Sequence, residues 1–272
     1  MLKVVSIYRE TKNAGKPRAD NEILDKTGTQ FSKRSFETFY MAADDFLANL
    51  GAQYSADIIL SMARGPQINS TLALLQRQTN VFIVNPPEAV SASLSKVDTY
   101  RRLDRFGVLI PKCEIWETEA LQNLELKGKQ ILKSAYGHDM WFVVQNASQL
   151  EAAMNYYQKK GIEQVIKQDF ILGVDIKFYG IGDRVILPES ADSLPCEILN
   201  KIPIAVEQIR KATSLDVFGG DLIADVASNK LYCVDANDWP SFGTLANYSQ
   251  SQAAQDIATH IIDSFNAQRS NK

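Results

Sequence analysis

Apolar positions change their period along this chain, and the changes divide it. The run "LKVVSIY" (2–8) is short and rich in β-branched residues, which predicts a strand. In 35–51, Phe36, Phe39, Tyr40, Ala43, Phe46, Leu47 and Leu50 recur at helical spacing, which predicts one helix capped by Gly51. A strand at "ADIILSMARG" (56–65), a helix at "INSTLALLQRQ" (68–78) and a strand at "VFIVN" (81–85) complete a β-α-β-α-β pattern. That alternation predicts a parallel sheet. The polar stretch 9–22, with Gly15 and Pro17, reads as a long, mobile loop.

Pro86 and Pro87 end this pattern, so a first domain is expected over 1–88 and a second over 89–272. From there the spacing predicts a helix over 95–107 closing at Gly107, strands over 110–118, 129–136 and 140–146, and an amphipathic helix over 148–161. A strand over 164–171 and a hairpin turning at Gly182–Asp183 follow, then a helix over 202–215. A second hairpin over 219–237 leads to a last helix over 251–267, whose stripe of Ile257, Ile261 and Phe265 needs a surface to cover it. The fold class expected is α/β at the start and α+β afterwards.

Composition narrows the chemistry. Lysine and arginine number 29 against 32 acidic residues, net −3, with no basic stripe, so nucleic acid is not an expected partner. No apolar run approaches the ~18 residues of a membrane span, and the charged turn after residue 7 reads as a first strand rather than a signal peptide. Three widely spaced cysteines suit reduced thiols in a cytoplasm. With two histidines and no CxxC pair, a metal here is expected to be a hard, oxygen-bound ion.

Three stretches carry groups that packing alone does not explain. In "LYCVDAN" (231–237) strand alternation puts Cys233, Asp235 and Asn237 on one face. A three- or five-residue hairpin loop centred on Ser228 sets Asp221 opposite Asp235, whereas a two-residue turn sets it opposite Ala236. The first register makes a cation site of Asp221, Asp235 and Asn237; solvated hairpin ends are the alternative. Lys133 interrupts a buried strand and needs an anion or a route to water, and Gly137 and His138 follow it. In "KQDFILGVDIK" (167–177) a short connector after Gln168, Asp169 and Phe170 could read a base edge, with Asp175 at a ribose and Lys177 at a phosphate; an ordinary surface ladder is the alternative.

Taken in order, these pieces resemble the ATP-grasp superfamily, its RimK-like branch in particular. "VNPPEAVSASLSKVDTYRRLDRFGVLIPKC" is similar to the family's Asn, helix-initial Lys and Gly-(x)-Ile-Pro pattern, and "ILKSAYG" to its phosphate-loop strand. "KQDFILGVDIK" resembles its adenine hinge, and "GGDLI…YCVDAND" its metal-binding strands. The resemblance implies an ATP-grasp fold in which subdomains 89–166 and 167–272 hold ATP behind an N-terminal parallel α/β (pre-ATP-grasp) domain. It implies phosphate contacts from Lys96 and Lys133, adenine beside Asp169 and Phe170, and ribose contact from Asp175, with Gln168 and Lys177 also counted as cofactor-binding. It implies Mg2+ on Asp221, Asp235 and Asn237, with glutamate commoner in the family where Asp235 stands.

The implied reaction is ligation of a small-molecule or peptide carboxylate to an amine (or thiol) through an acyl phosphate. Lys177 and Arg184 are the expected catalytic cations, with Arg9, Arg18 and Arg64 as other carriers of the acceptor carboxylate. Departures are Ser134 where proline is usual, "GHDMW" where glycines are usual, and no Arg- and Gly-rich loop in 186–203. "YGHDMWFVVQN" and "DIKFYGIGDRV" also resemble inositol polyphosphate kinases of the same fold, so phosphoryl transfer to a hydroxyl and an ATP-binding module without ligase activity stand as alternatives. A homo-oligomer is left open.

Overall fold

The computed structural model describes residues 1–9, 17–49, 55–137, 140–243, 245 and 248–270, with the backbone alone for 17–20. Strands β1 (Lys3–Ile7), β2 (Glu37–Met41), β3 (Ile58–Ser61) and β4 (Phe82–Val84) form a parallel sheet in the order β2-β1-β3-β4. Helices α1 (Pro17–Ser32), α2 (Ala43–Ala48) and α3 (Pro66–Gln78) connect them. The parallel sheet matches the alternation in the sequence, but two of its elements differ from the expectation.

The polar stretch expected as a loop over 9–22 is already helix from Pro17. Ile23, Leu24, Thr27 and Phe31 give α1 one buried face, a set of positions in which only three are apolar. The single helix expected over 35–51 is β2 followed by the short α2. Thr38, Phe39 and Tyr40 suit a strand, and pairing with β1 settles the matter. Phe39 and Met41, two apart, both pack on the core shared by α2 and α3, which is strand spacing. Gly51, the expected cap, lies outside the described residues.

Two antiparallel sheets follow. Strands β5 (Cys113–Glu117), β6 (Gln130–Ser134), β7 (Phe142–Val144) and β8 (Gln164–Asp169) form a central sheet in the order β5-β8-β6-β7. Strands β9 (Val174–Ile181), β10 (Arg184–Ile186), β11 (Val217–Asp225) and β12 (Lys230–Asp238) form the third, in the order β10-β9-β11-β12. Helices α4 (Pro87–Ser93) and α5 (Lys96–Arg105) lead out of the parallel sheet, and α6 (Ala147–Lys159) backs the central one. Helices α7 (Cys196–Leu199) and α8 (Lys201–Thr213) join α4 and α5 against one face of the third sheet, around Phe178, Phe218 and Leu222.

Helix α9 (Gln250–Ser270) returns to the start of the molecule. Its stripe of Ile257, Ile261 and Phe265 is buried with residues of β1, β3 and α1 and with Trp239 and Phe242, so these two aromatics pack the last helix. The parallel and third sheets meet at a hydrogen-bonded seam. Buried Asn85 accepts from the Asp216 and Val217 amides (2.9 and 2.8 Å) and donates to the Val217 carbonyl (2.7 Å). The Trp239 indole donates to the Val84 carbonyl (3.2 Å), and Arg64, in the loop between β3 and α3, pairs with buried Asp238 at 2.5 Å. Among the described residues no helix is long and apolar enough to cross a membrane.

Candidate active site

The site begins with a register shift. From Asp225↔Lys230 to Leu222↔Cys233, β11 and β12 pair across a four-residue loop, Val226–Asn229, a length that neither sequence alternative contained. That register alone would set Asp221 opposite Val234. Instead the ladder slips by one residue, so that Asp221 faces Asp235 and Gly219 faces Asn237, with Val234 the unpaired extra residue. This is a β-bulge, which re-aims the side chains beyond it.

The bulge corrects the expected faces as well. Cys233 is fully buried in the core with Leu231, whereas Asp235 and Asn237 stand on the opposite, open face with Asp221. Gly220 makes the local backbone approach feasible: a Cβ there would run into the Asp235 carbonyl and, at 2.9 Å, the Phe178 ring.

The bulged carbonyl is the seat of a half-buried lysine. Lys133, on β6, donates to the Val234 oxygen at 2.9 Å, and Tyr100 on α5 donates to the same oxygen at 2.8 Å. Burial lowers the Lys133 pKa, opposed in part by the Asp235 charge. Burial, and then Asp235, push the Tyr100 hydroxyl well above its usual value, so it remains a donor. Lys96 opens α5 behind its N-cap Ser95, where a cation meets the unfavourable end of the helix dipole. Its ammonium stands 3.7 Å from Asp235 Oδ1, so a carboxylate offsets that placement.

On the other side, Lys177 on β9 lies opposite Asp221 and donates to its Oδ1 at 2.8 Å. Burial lowers the Lys177 pKa, but the Asp221 hydrogen bond and charge outweigh it and the net direction is upward. Asn237 Nδ2 donates to Asp235 Oδ2 at 2.6 Å, while its own Oδ1 is buried without a hydrogen-bond partner.

These groups border a cleft of about 520 Å³ between the central and third sheets. Lys96, Lys133, Gln168, Asp169, Phe170, Asp175, Asp221 and Asp235 all line it, with Ile131, Val143 and Ile223 as apolar wall and Trp141 at the mouth. Lys177 and Asn237 join through their bonds to Asp221 and Asp235. Arg184 does not join: it pairs with Asp256 at 2.5 Å and its guanidinium lies 5.7 Å from the Tyr248 ring, on the α9 side. His138 and the Arg18 side chain lie outside the described residues, and Arg64 is engaged with Asp238.

Sequence reasoning missed Tyr100, the Val234 carbonyl and Trp141. Tyr100 is four residues after Lys96, on the same helix face, and that spacing was a usable signal. Nothing local to the sequence announces the bulge.

The donor set suits a hard cation. Two carboxylates face each other across strands, and the Asn237 oxygen lacks a donor, whose place an oxygen-seeking ion would take. Among the described residues no group of three or more His, Cys, Asp or Glu is placed to hold a metal ion, and the donors gathered here are two carboxylates and an amide.

No family model matches the sequence, and no curated protein matches it. Solved structures do. The D-alanine–D-alanine ligase of Bacillus anthracis superposes with a TM-score of 0.76 at 12% identity, covering 100% of this chain and 99% of that one. The same ligase complexed with ATP gives 0.76 at 13%, again covering 100% and 99%. A RimK domain ATP-grasp protein of Sphaerobacter thermophilus gives 0.69 at 15%, covering 95% and 99%. At such identities the likeness is one of fold.

Proposed function

We propose that this chain, which has the ATP-grasp fold, binds ATP in the cleft between its central and third sheets and uses it to join a carboxylate to an amine. The observation that carries the reading is convergence. Eight side chains expected from separate stretches of sequence line one cleft, and two of them, the Asp221 and Asp235 carboxylates, are opposed across neighbouring strands. Two of the solved neighbours support it: both are structures of a D-alanine–D-alanine ligase, one of them complexed with ATP.

In this reading Phe170 and Ile131 bound the base, the backbone after Asp169 reads its edge, and Asp175 accepts from the ribose. Lys96 and Lys133 meet the phosphates. Lys133 arrives desolvated and held by the Val234 carbonyl, so little of its reorganisation is left to binding. Asp221, Asp235 and Asn237 would hold Mg2+, which neutralises phosphate charge as the γ-phosphoryl group leaves ATP. Lys177 orients the acceptor carboxylate, and the cleft, once closed, keeps water from the acyl phosphate. Residues 1–88 would act as the leading domain and 89–272 as the ATP-grasp domain.

One observation favours a rival, phosphoryl transfer to a hydroxyl. Arg184 faces α9, so the hairpin that carries it brings no arginine to the cleft for a carboxylate. A screen of acid–amine pairs for ADP separates the two readings. Release of ADP and inorganic phosphate only when both an acid and an amine are present supports ligation. ADP with a phosphorylated alcohol and no free phosphate supports the kinase. Protection from thermal unfolding by ATP, with no turnover on any acceptor, would mean a binding module.

A further inference from the structure

The strands that carry the opposed carboxylates also carry a cation in register with them. Lys177 on β9 lies opposite Asp221 on β11, which lies opposite Asp235 on β12. Directly opposed residues of neighbouring strands present their side chains to one face. The row therefore reads ammonium, carboxylate, carboxylate. Lys177 occupies Asp221 Oδ1 at 2.8 Å, an oxygen that a divalent ion on this cluster would need.

The neighbouring charges extend the point. The Lys96 ammonium is 3.7 Å from Asp235 Oδ1, and Lys133 feels the same carboxylate from the Val234 carbonyl. Two carboxylates thus stand among three ammonium groups. Such a cluster has no net negative charge to offer a free cation. It does complement a cation that arrives already bound to a polyanion, because the ammonium groups then have phosphates to meet. The Lys177–Asp221 pair is also exchangeable: its side chains are 42% and 40% exposed, and an ion pair so placed is weak.

We propose that Lys177 is a displaceable resident counter-ion of Asp221. It holds down the affinity of the cluster for a free divalent ion, so that the ion enters as the metal–nucleotide complex. The displaced ammonium is then free to turn toward the anion being formed. This rests on the metal-and-nucleotide reading above, and the test is chosen so that the two can fail separately.

The test is Mn2+ titration of the full chain, followed by electron paramagnetic resonance, with and without ADP. K177M should bind free Mn2+ about two- to fivefold more tightly than the wild type, and K177R should behave as the wild type. ADP should raise Mn2+ affinity less in K177M than in the wild type, since the variant has lost the group that couples the two ligands. Unchanged free-ion affinity in K177M, with Mn2+ binding abolished in D235A, overturns the counter-ion role and leaves the metal site standing. Undiminished Mn2+ binding in D235A overturns the metal site itself.

Discussion

On the proposed reading, Lys133 serves a ligand at the expense of the ligand-free fold. Burial disfavours its charged form, so its pKa in the folded chain lies below the ordinary lysine value. Unfolding returns it to water. The charged side chain therefore costs stability at all pH values below the folded pKa, and the cost fades as pH rises from there toward the ordinary value near 10.5. Replacing it by methionine leaves the Val234 carbonyl its bond from Tyr100. Nucleotide-free K133M should thus be at least as stable as the wild type at pH 7, with the difference closing toward high pH. Its affinity for ATP should fall by about ten- to a hundredfold, the worth of a charged hydrogen bond. Thermal unfolding across pH, with and without ATP, checks both. A nucleotide-free variant less stable than the wild type at neutral pH contradicts this account of Lys133.

Among the elements, β12 decides most. Its bulge does two things: it restores the register between Asp221 and Asp235 that a four-residue loop would otherwise lose, and it turns the Val234 carbonyl toward Lys133 and Tyr100. Deletion of Val234 separates them. With Cys233 still opposite Leu222, Asp235 would follow directly and still oppose Asp221, but the carbonyl that seats Lys133 would be gone. Divalent-ion binding should persist in the deletion variant while nucleotide affinity drops about tenfold; calorimetric titration of each ligand tests this, and loss of both contradicts it. The same strand shows what was legible in advance. An acid and an amide two residues apart on one strand, an acid on the facing arm of the hairpin, and a lysine in an apolar strand are visible as local anomalies, and they led to Asp235, Asn237, Asp221 and Lys133. A bulge arises from the mismatch of loop length and ladder, which no single position records. Likewise β2 was hidden because Phe36, Phe39 and Tyr40 fit a helical period as well as a strand, and only the neighbouring β1 resolves the ambiguity. Helix α1 was hidden by polar residues around a narrow apolar stripe. Arg184 failed for a related reason: its charge was plain in the sequence, but its partner Asp256 is 72 residues away.

At the scale of the molecule, the cleft is a joint between units that are stitched elsewhere. Asn85, Trp239 and the Arg64–Asp238 pair tie the parallel sheet to the ends of β11 and β12, beside the acidic cluster. The central sheet reaches the cluster from the other side through Lys133. The inner end of the cleft is thus anchored to all three sheets, while exposed Trp141 and Leu172 border its mouth. On the proposed reading, such an arrangement would hold an ion and a polyanion at the fixed end and leave the open end for closure. The most direct test is a crystal structure of the chain grown with Mg2+ and a non-hydrolysable ATP analogue. The account predicts the triphosphate between Lys96 and Lys133, with the ion on Asp221, Asp235 and the Asn237 oxygen. An analogue bound outside this cleft, or an ion coordinated without Asp221 and Asp235, would contradict it.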